Sequence, residues 1–291
     1  MSSSMGIMSE VESRSRRGTI LRVVLGIMLA LFSCGLLFPF IFTFTAGLKT
    51  SSEIYQPGLN LWPEVAHWEN YREAWTRFNL PRMFLNTFAI TLGGVVSQLT
   101  VCSMAAYSLS RLKPIGQKVI MTMLFVSMAI PAIAYIIPLY TTLVKLPLLN
   151  ISLLNSYWGL WLPYAANAFT IIVLKNFFEQ IPQDIYDAAM VDGASPIRIF
   201  WSITLPLARP ILLTLAVLTF ISLWKDFLLP LLVLRDAKLQ PVTVRLFALV
   251  KDFPKNLQMA ASFTAMVPQL IAALLLQRFI KGGLTIGGSK G

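Results

Sequence analysis

Histidine occurs once in these 291 residues and cysteine only twice. His67 alone cannot supply a two-histidine metal or protease motif. Cys34 and Cys102 stand in separate apolar stretches with no metal-ligand spacing around either, so both read as small apolar packing residues that say nothing about redox compartment. No G-x-x-x-x-G-K-[ST] loop is present, so the chain has no phosphate-cradling loop of its own. Neither catalytic residues nor a metal site nor a bound cofactor is expected.

Charge is scarce as well. With 13% charged residues against 56% hydrophobic ones and a mean hydropathy of +0.69, the chain has too little polar surface to clothe a soluble domain of its length. The net charge of +11 is spread over loops and forms no basic face interleaved with aromatics. It therefore points to anchoring at lipid headgroups and away from nucleic acid.

The few charges mark the spans, since a bilayer core takes about 20 mostly apolar residues per helix and tolerates few ionised ones. Charge-free runs lie between Arg22 and Lys49, Arg82 and Arg111, Lys118 and Lys145, Lys145 and Lys175, and Lys255 and Arg278. A further run from Pro210 to Leu234 is broken only by Lys225 and Asp226. Turn formers at Pro147, Asn150, Ser152, Asn155 and Ser156 push the start of the fourth helix to about Tyr157. The expected spans are 23–48, 83–110, 119–144, 157–174, 210–234 and 256–277. They lie in one membrane domain, 20–281, between tails 1–19 and 282–291.

These runs lack the alternation of barrel strands, so the expected fold is all-α, a polytopic six-helix membrane bundle. Pro39, Pro131, Pro138 and Pro163 predict kinks. Four arginines (Arg14, Arg16, Arg17 and Arg22) precede the first span and only Lys49 closely follows it, which places both termini in the cytoplasm. That first apolar stretch is far longer than the roughly 7–15 residues of a signal peptide's core, so it is read as a retained span.

Between the fourth and fifth spans lies a polar interruption, 182–206. Pro182 suits a helix start and Gly193 a left-handed residue just past a helix end. Ser195 and Pro196 then restart the pattern as N-cap and first helical residue, and Leu205-Pro206 closes it. The first helix sets Ile181, Ile185 and Ala188/Ala189 on one face, and the second sets Ile197, Phe200, Trp201 and Thr204 on another. Asp184, Asp187 and Asp192 put negative charge at the edges. An apolar face with a charged rim suits a helix laid into a partner's groove. A hairpin packed on the underside of its own bundle would look much the same.

The stretch Asp187-Ala188-Ala189 … Asp192-Gly193-Ala194 … Ile203-Thr204-Leu205-Pro206 resembles the EAA signature of binding-protein-dependent ABC importer permeases, with Asp187 where that family usually has Glu. Further pieces resemble its carbohydrate branch and the maltose-type second permease: Asn70-Tyr71, Asn86-Thr87, Ala106 to Arg111, Pro138-Leu139-Tyr140, Trp224 to Phe227 and the tail from Gln277. The resemblance implies a cell inner-membrane heterodimer of two related permeases, two cytoplasmic ATPase subunits that hold ATP and Mg, and an extracytoplasmic sugar-binding protein. Asp187, Ala188, Ala189, Asp192, Gly193, Ala194, Ile203, Leu205 and Pro206 would then form the cytoplasmic coupling helix and its support. The glycine-rich C-terminal tail would reach the ATPases.

Lys225 and Asp226 are the only charges expected inside a span, and such residues are functional candidates by default. The family usually has Asn where Lys225 stands. With Trp224, Tyr135 and Tyr140 they are candidates for a sugar path; helix pairing and interfacial aromatic belts are the structural alternatives. Trp62, Trp68, Trp75 and His67 are expected to fill a small core in the first outer loop. Two other functions stay open on the residues alone, an ion-coupled secondary transporter and a non-transporting assembly protein.

Overall fold

The structure is a computed structural model and describes residues 16–58 and 60–283. The expected tails lie outside these residues except for 16–19 and 282–283. The main helices are α1 (Arg16–Gly47), α2 (Glu69–Arg77), α3 (Leu80–Tyr107), α4 (Gln117–Ala129), α5 (Ala132–Val144), α6 (Trp158–Ala165), α7 (Ala168–Gln180), α8 (Gln183–Val191), α9 (Pro196–Ile199), α10 (Arg209–Trp224), α11 (Leu228–Val233), α12 (Val242–Leu249) and α13 (Lys255–Gly283). The protein is an all-α bundle of the membrane-spanning type.

Among the described residues, three helices are long and apolar enough to cross a bilayer: Thr19–Gly47, Leu80–Leu112 and Lys255–Leu275. The number rises to five if two bent pairs each count as one span. In the first pair α4 meets α5 at 107° across Ile130-Pro131. In the second, Pro196–Leu207 meets α10 at 77°. The stretch expected as the fourth span consists of the short helices α6 and α7, broken at Ala166-Asn167. Of the expected kinks, Pro131 sits at a sharp bend, whereas α1 runs through Pro39 as one helix, with the Thr43 hydroxyl bonded to the Pro39 carbonyl at 2.6 Å.

Two compact units divide the chain, residues 1–74 with 253–263 and residues 75–252 with 264–291. In the first, Asn70 ties down the end of α1. Its amide donates to the Gly47 and Lys49 carbonyls at 3.0 and 2.9 Å and its oxygen accepts from Asn256 at 3.0 Å. Tyr71 donates to the Phe44 carbonyl at 2.9 Å, and burial pushes its phenol pKa up, which keeps it a neutral donor. Thr50 and Glu53 form a reciprocal capping box. The tryptophans do not fill a core as expected. Trp62 is 71% exposed and Trp68 61%, and Trp75, in the second unit, is 43% exposed. Trp68 only flanks the packed rings of Phe44, Tyr71 and Phe263, polar bonds to the backbone complete this region, and His67 faces Glu69 at 2.6 Å.

In the second unit α3 is the hub. Gly93 and Gly94 let neighbours approach closely: a Cβ on Gly93 would fall 2.2 Å from the Trp161 ring, and one on Gly94 2.5 Å from Leu223. Apolar clusters gather at the two ends of the hub, one around Cys102, Leu174 and Phe178, the other around Ile90, Leu160 and Val233. Between them buried Gln98 donates to Thr170 at 2.8 Å and Thr219 at 3.1 Å, linking α3, α7 and α10. Asn86 and Thr87 secure the chain before α12: the Asn86 amide donates to the Lys238 and Gln240 carbonyls at 2.8 and 3.0 Å, and Thr87 accepts from the Val242 amide at 2.9 Å.

Candidate functional site

Two features of the second unit are candidates for function, the polar hairpin and a cavity among interrupted helices.

The hairpin is built from local signals. Pro182 is the N-cap of α8, Gly193 follows its end at φ +75°, and the Ser195 hydroxyl caps α9 by accepting from the Arg198 amide. A π-helical turn, Phe200–Thr204, continues α9 towards α10. The two faces differ. Ile181, Tyr186, Ala189, Ile199 and Phe200 are buried against α3 and α7. Ile185, Val191, Ile197 and Trp201 are exposed at 39, 87, 73 and 56%. Ala188, Asp187, Asp192 and Gly193 share the exposed side, Ala194, Ile203, Leu205 and Pro206 are half-buried, and Gln183 donates to Asp187 at 2.9 Å. Sequence reasoning grouped Ile181, Ile185 and Ala188/Ala189 on one face; the structure splits them between the two sides.

Arg111 seats the hairpin. It leaves a π-helical turn, Ser108–Leu112, at the end of α3, and its guanidinium donates to the Ile181 carbonyl at 2.7 Å, the Phe178 carbonyl and the Gln183 side chain at 2.7 Å. Its charge lies 3.9 Å from the centre of the Tyr186 ring. Tyr107 adds a bond to the Pro196 carbonyl at 3.2 Å. Arg111 belongs to a stretch quoted in the sequence for its resemblance, but nothing there paired it with residues some 70 positions on.

The cavity lies where three chain breaks converge. Ile130 and Pro131's neighbour Ala132, then Ala166-Asn167, then Lys225 to Phe227 all reach its walls, and two adjoining spaces of about 630 and 910 Å³ share Tyr135, Tyr164, Asn167 and Asp226. Two of the breaks are supported by side chains. Asn167 caps α7 by accepting from the Thr170 amide at 2.9 Å. Cys102, expected only to pack, donates its thiol to the Ala165 carbonyl at 3.3 Å and accepts from the Asn167 amide at 3.4 Å. Thr243 donates to the Asp226 carbonyl at 3.0 Å. Irregular backbone at membrane depth is tolerated where it is buried in protein or lines a water-filled space, and this one lines a cavity of the size small ligands occupy.

The sequence-nominated path residues part company here. Asp226 is half-buried and accepts the Tyr164 hydroxyl at 2.5 Å; Lys225 and Tyr135 also line the space. Trp224 does not. It is 1% exposed, packed against Phe84, Phe88 and Phe220, and its indole donates to the Ala265 carbonyl at 3.2 Å. Tyr140 lies off the cavity wall, where its hydroxyl accepts from Arg235. Asn167 and Tyr164 were missed because no charge marks them. Among the described residues no group of three or more His, Cys, Asp or Glu is arranged to hold a metal ion.

Comparison with known proteins fits this architecture. The permease protein NgcG of the diacetylchitobiose uptake system of Streptomyces coelicolor is 31% identical over 266 residues, covering 89% of this chain and 86% of the relative. The sn-glycerol-3-phosphate transport system permease protein UgpE of Pectobacterium atrosepticum is 31% identical over 282 residues, covering 93% of this chain and 97% of the relative. Among solved structures, a chain of a bacterial ABC transporter involved in the import of the acidic polysaccharide alginate superposes with a TM-score of 0.80 at 26% identity, over 91% of this chain and 98% of that one. Residues 98–282 match a family of non-catalytic permease subunits. The chain belongs to the binding-protein-dependent transport system inner membrane components.

Proposed function

We propose that this chain is one of two related permease subunits of an ATP-driven saccharide importer, of the maltose-type second-permease kind. It forms a translocation path with its partner and is driven by two separate ATPase subunits, which bind ATP and Mg. An extracytoplasmic binding protein hands over the cargo. The convergence of three helix interruptions on one cavity, with Asn167, Tyr164, Lys225 and Asp226 in a largely apolar wall, carries this reading, because such breaks are costly in lipid unless they are buried in protein or line an aqueous space. The names of its relatives cover a chitobiose derivative, a glycerol phosphate and an acidic polysaccharide, which supports a polyhydroxylated cargo.

In this reading α6 and α7 act together as one interrupted crossing, giving six in all within 20–281, with both termini cytoplasmic. The hairpin 182–206 is the coupling helix region, its exposed Ile185, Ala188, Val191, Ile197 and Trp201 laid into an ATPase cleft with Asp187 and Asp192 at the rim. Gly193 and Ala194 shape the turn, and Ile203, Leu205 and Pro206 brace it. ATP binding closes the ATPase pair, moves the docked hairpin and shifts the bundle between inward- and outward-open states, which needs only a few kcal/mol of differential affinity.

Purification from the native membrane with a tag on this chain tests the proposal. A second permease and an ATPase should co-purify in fixed ratio, and liposomes holding the complex should import saccharide only with ATP and binding protein. Import by this chain alone, or import that continues without ATP, refutes it.

A further inference from the structure

Lys225 is the one cation among the residues lining the two adjoining cavities. It follows the last residue of α10 and is exposed. Its ammonium makes no hydrogen bond or ion pair with any described residue, its backbone amide donating to the Leu223 carbonyl, and its neighbour Asp226 is already engaged by the Tyr164 hydroxyl at 2.5 Å. A helix C-terminus favours a positive charge, which explains why an ammonium is tolerated at this point but leaves its three donors without an acceptor. An ionised side chain among membrane-type helices is a functional candidate by default.

The surroundings narrow the ligand. Asp226 and Tyr164 offer polar groups that suit hydroxyls, and the rings of Tyr135, Phe169 and Phe227 offer flat apolar faces of the kind that lie against a sugar ring. A neutral saccharide would use all of these and leave the ammonium idle. A saccharide bearing a carboxylate or phosphate would also complete Lys225 with a charge-assisted hydrogen bond.

We infer that Lys225 is the anion-binding element of the path and that the cargo is an acidic saccharide, carrying a carboxylate or a phosphate. This rests on the cavity being the translocation path. Lys225 acts as a specificity residue, sharing the wall of one space with Asp226 and Tyr164.

The assembled importer in liposomes tests this with two pairs of similar skeleton and different charge, digalacturonate against galactobiose and glucose 6-phosphate against glucose. Uptake of an acidic member should exceed that of its neutral counterpart. Lys225→Gln should cut it by about tenfold, the scale of one charged hydrogen bond, while Lys225→Arg largely preserves it. Neutral uptake should fall far less than acidic uptake in Lys225→Gln. Preference for the neutral members, absence of acidic uptake, or an equal fall of acidic and neutral uptake in Lys225→Gln overturns the inference; the last would mean that Lys225 pairs with the partner permease. Ala166→Trp, placed to fill the cavity, separates the two readings. Undiminished uptake in that variant sinks the path itself, whatever Lys225 does.

Discussion

Removing the Arg111 side chain should loosen the hairpin without unfolding the bundle. Arg111→Ala deletes the donors to the Phe178 and Ile181 carbonyls, the contact with Gln183 and the charge over the Tyr186 ring. A hydrogen bond from a charged group is worth about 1.5–3 kcal/mol and a cation–π contact about 0.5–2 kcal/mol. The Gln183 contact is exposed and adds little, and the terms share one side chain, so they do not sum. A loss of about 3 kcal/mol is expected, roughly a hundredfold shift from seated to released hairpin. Arg111→Lys keeps the charge but not the fork, and should lose about half of that. Two measurements read the release: hydrogen exchange of the amides of residues 183–192, and maleimide labelling of a cysteine placed at Ile199, which is 3% exposed. Exchange and labelling rates within about twofold of the parent would refute the idea that this arginine seats the hairpin, because even ~1 kcal/mol should move them about fivefold.

Gly193→Val should cost about 1–2 kcal/mol through backbone strain alone, since Gly193 sits at φ +75° and a Cβ there meets nothing within 4 Å; a melting curve and an ATPase pull-down would report it, and full association with an unchanged melting point would contradict it. Asp187→Lys reverses a charge on the exposed rim and removes the acceptor for Gln183, so co-purification of the ATPase should weaken while the permease still inserts; an unaltered yield of complex would argue against docking there. Gly159→Ala puts a Cβ 2.5 Å from the Leu153 carbonyl oxygen and 2.8 Å from Val233. Backbone cannot yield as a side-chain tip can, so a loss of about 1–3 kcal/mol in detergent melting is expected, and a neutral result would mean that the α6 region repacks freely.

What could be read from the chain alone was what local chemistry writes. The turn at Gly193, the cap at Ser195 and the start at Pro196 are each decided by one or two residues, and they stand where the sequence put them. Charge spacing located the apolar segments, because ionised groups are excluded from lipid whatever the tertiary fold. Helix breaks were harder. Pro131 announced one, but the break at Ala166-Asn167 carries no proline at its own position and is stabilised by Cys102, more than sixty residues away. Lys225 and Asp226 were read as charges within a continuous helix, whereas α10 stops at Trp224 and α11 begins at Leu228. Trp224 was a candidate for the path because an aromatic ring can stack on sugar. Its burial depends on Phe84, Phe88 and Phe220, which no local pattern connects to it. The Arg111 contacts and the Tyr164–Asp226 pair are likewise products of packing between distant segments.

The grip of Arg111 falls mainly on main-chain oxygens, those of Phe178 and Ile181. Every amino acid supplies that acceptor, so the tether does not depend on what the outward side of the hairpin is made of. If the hairpin docks on an ATPase as proposed, mutational drift can rewrite Ile185, Val191 or Trp201 to follow a changing motor surface while the anchorage stays in place. Interchange of motors between related importers would then be a matter of a few outer side chains, with the mooring inherited unaltered.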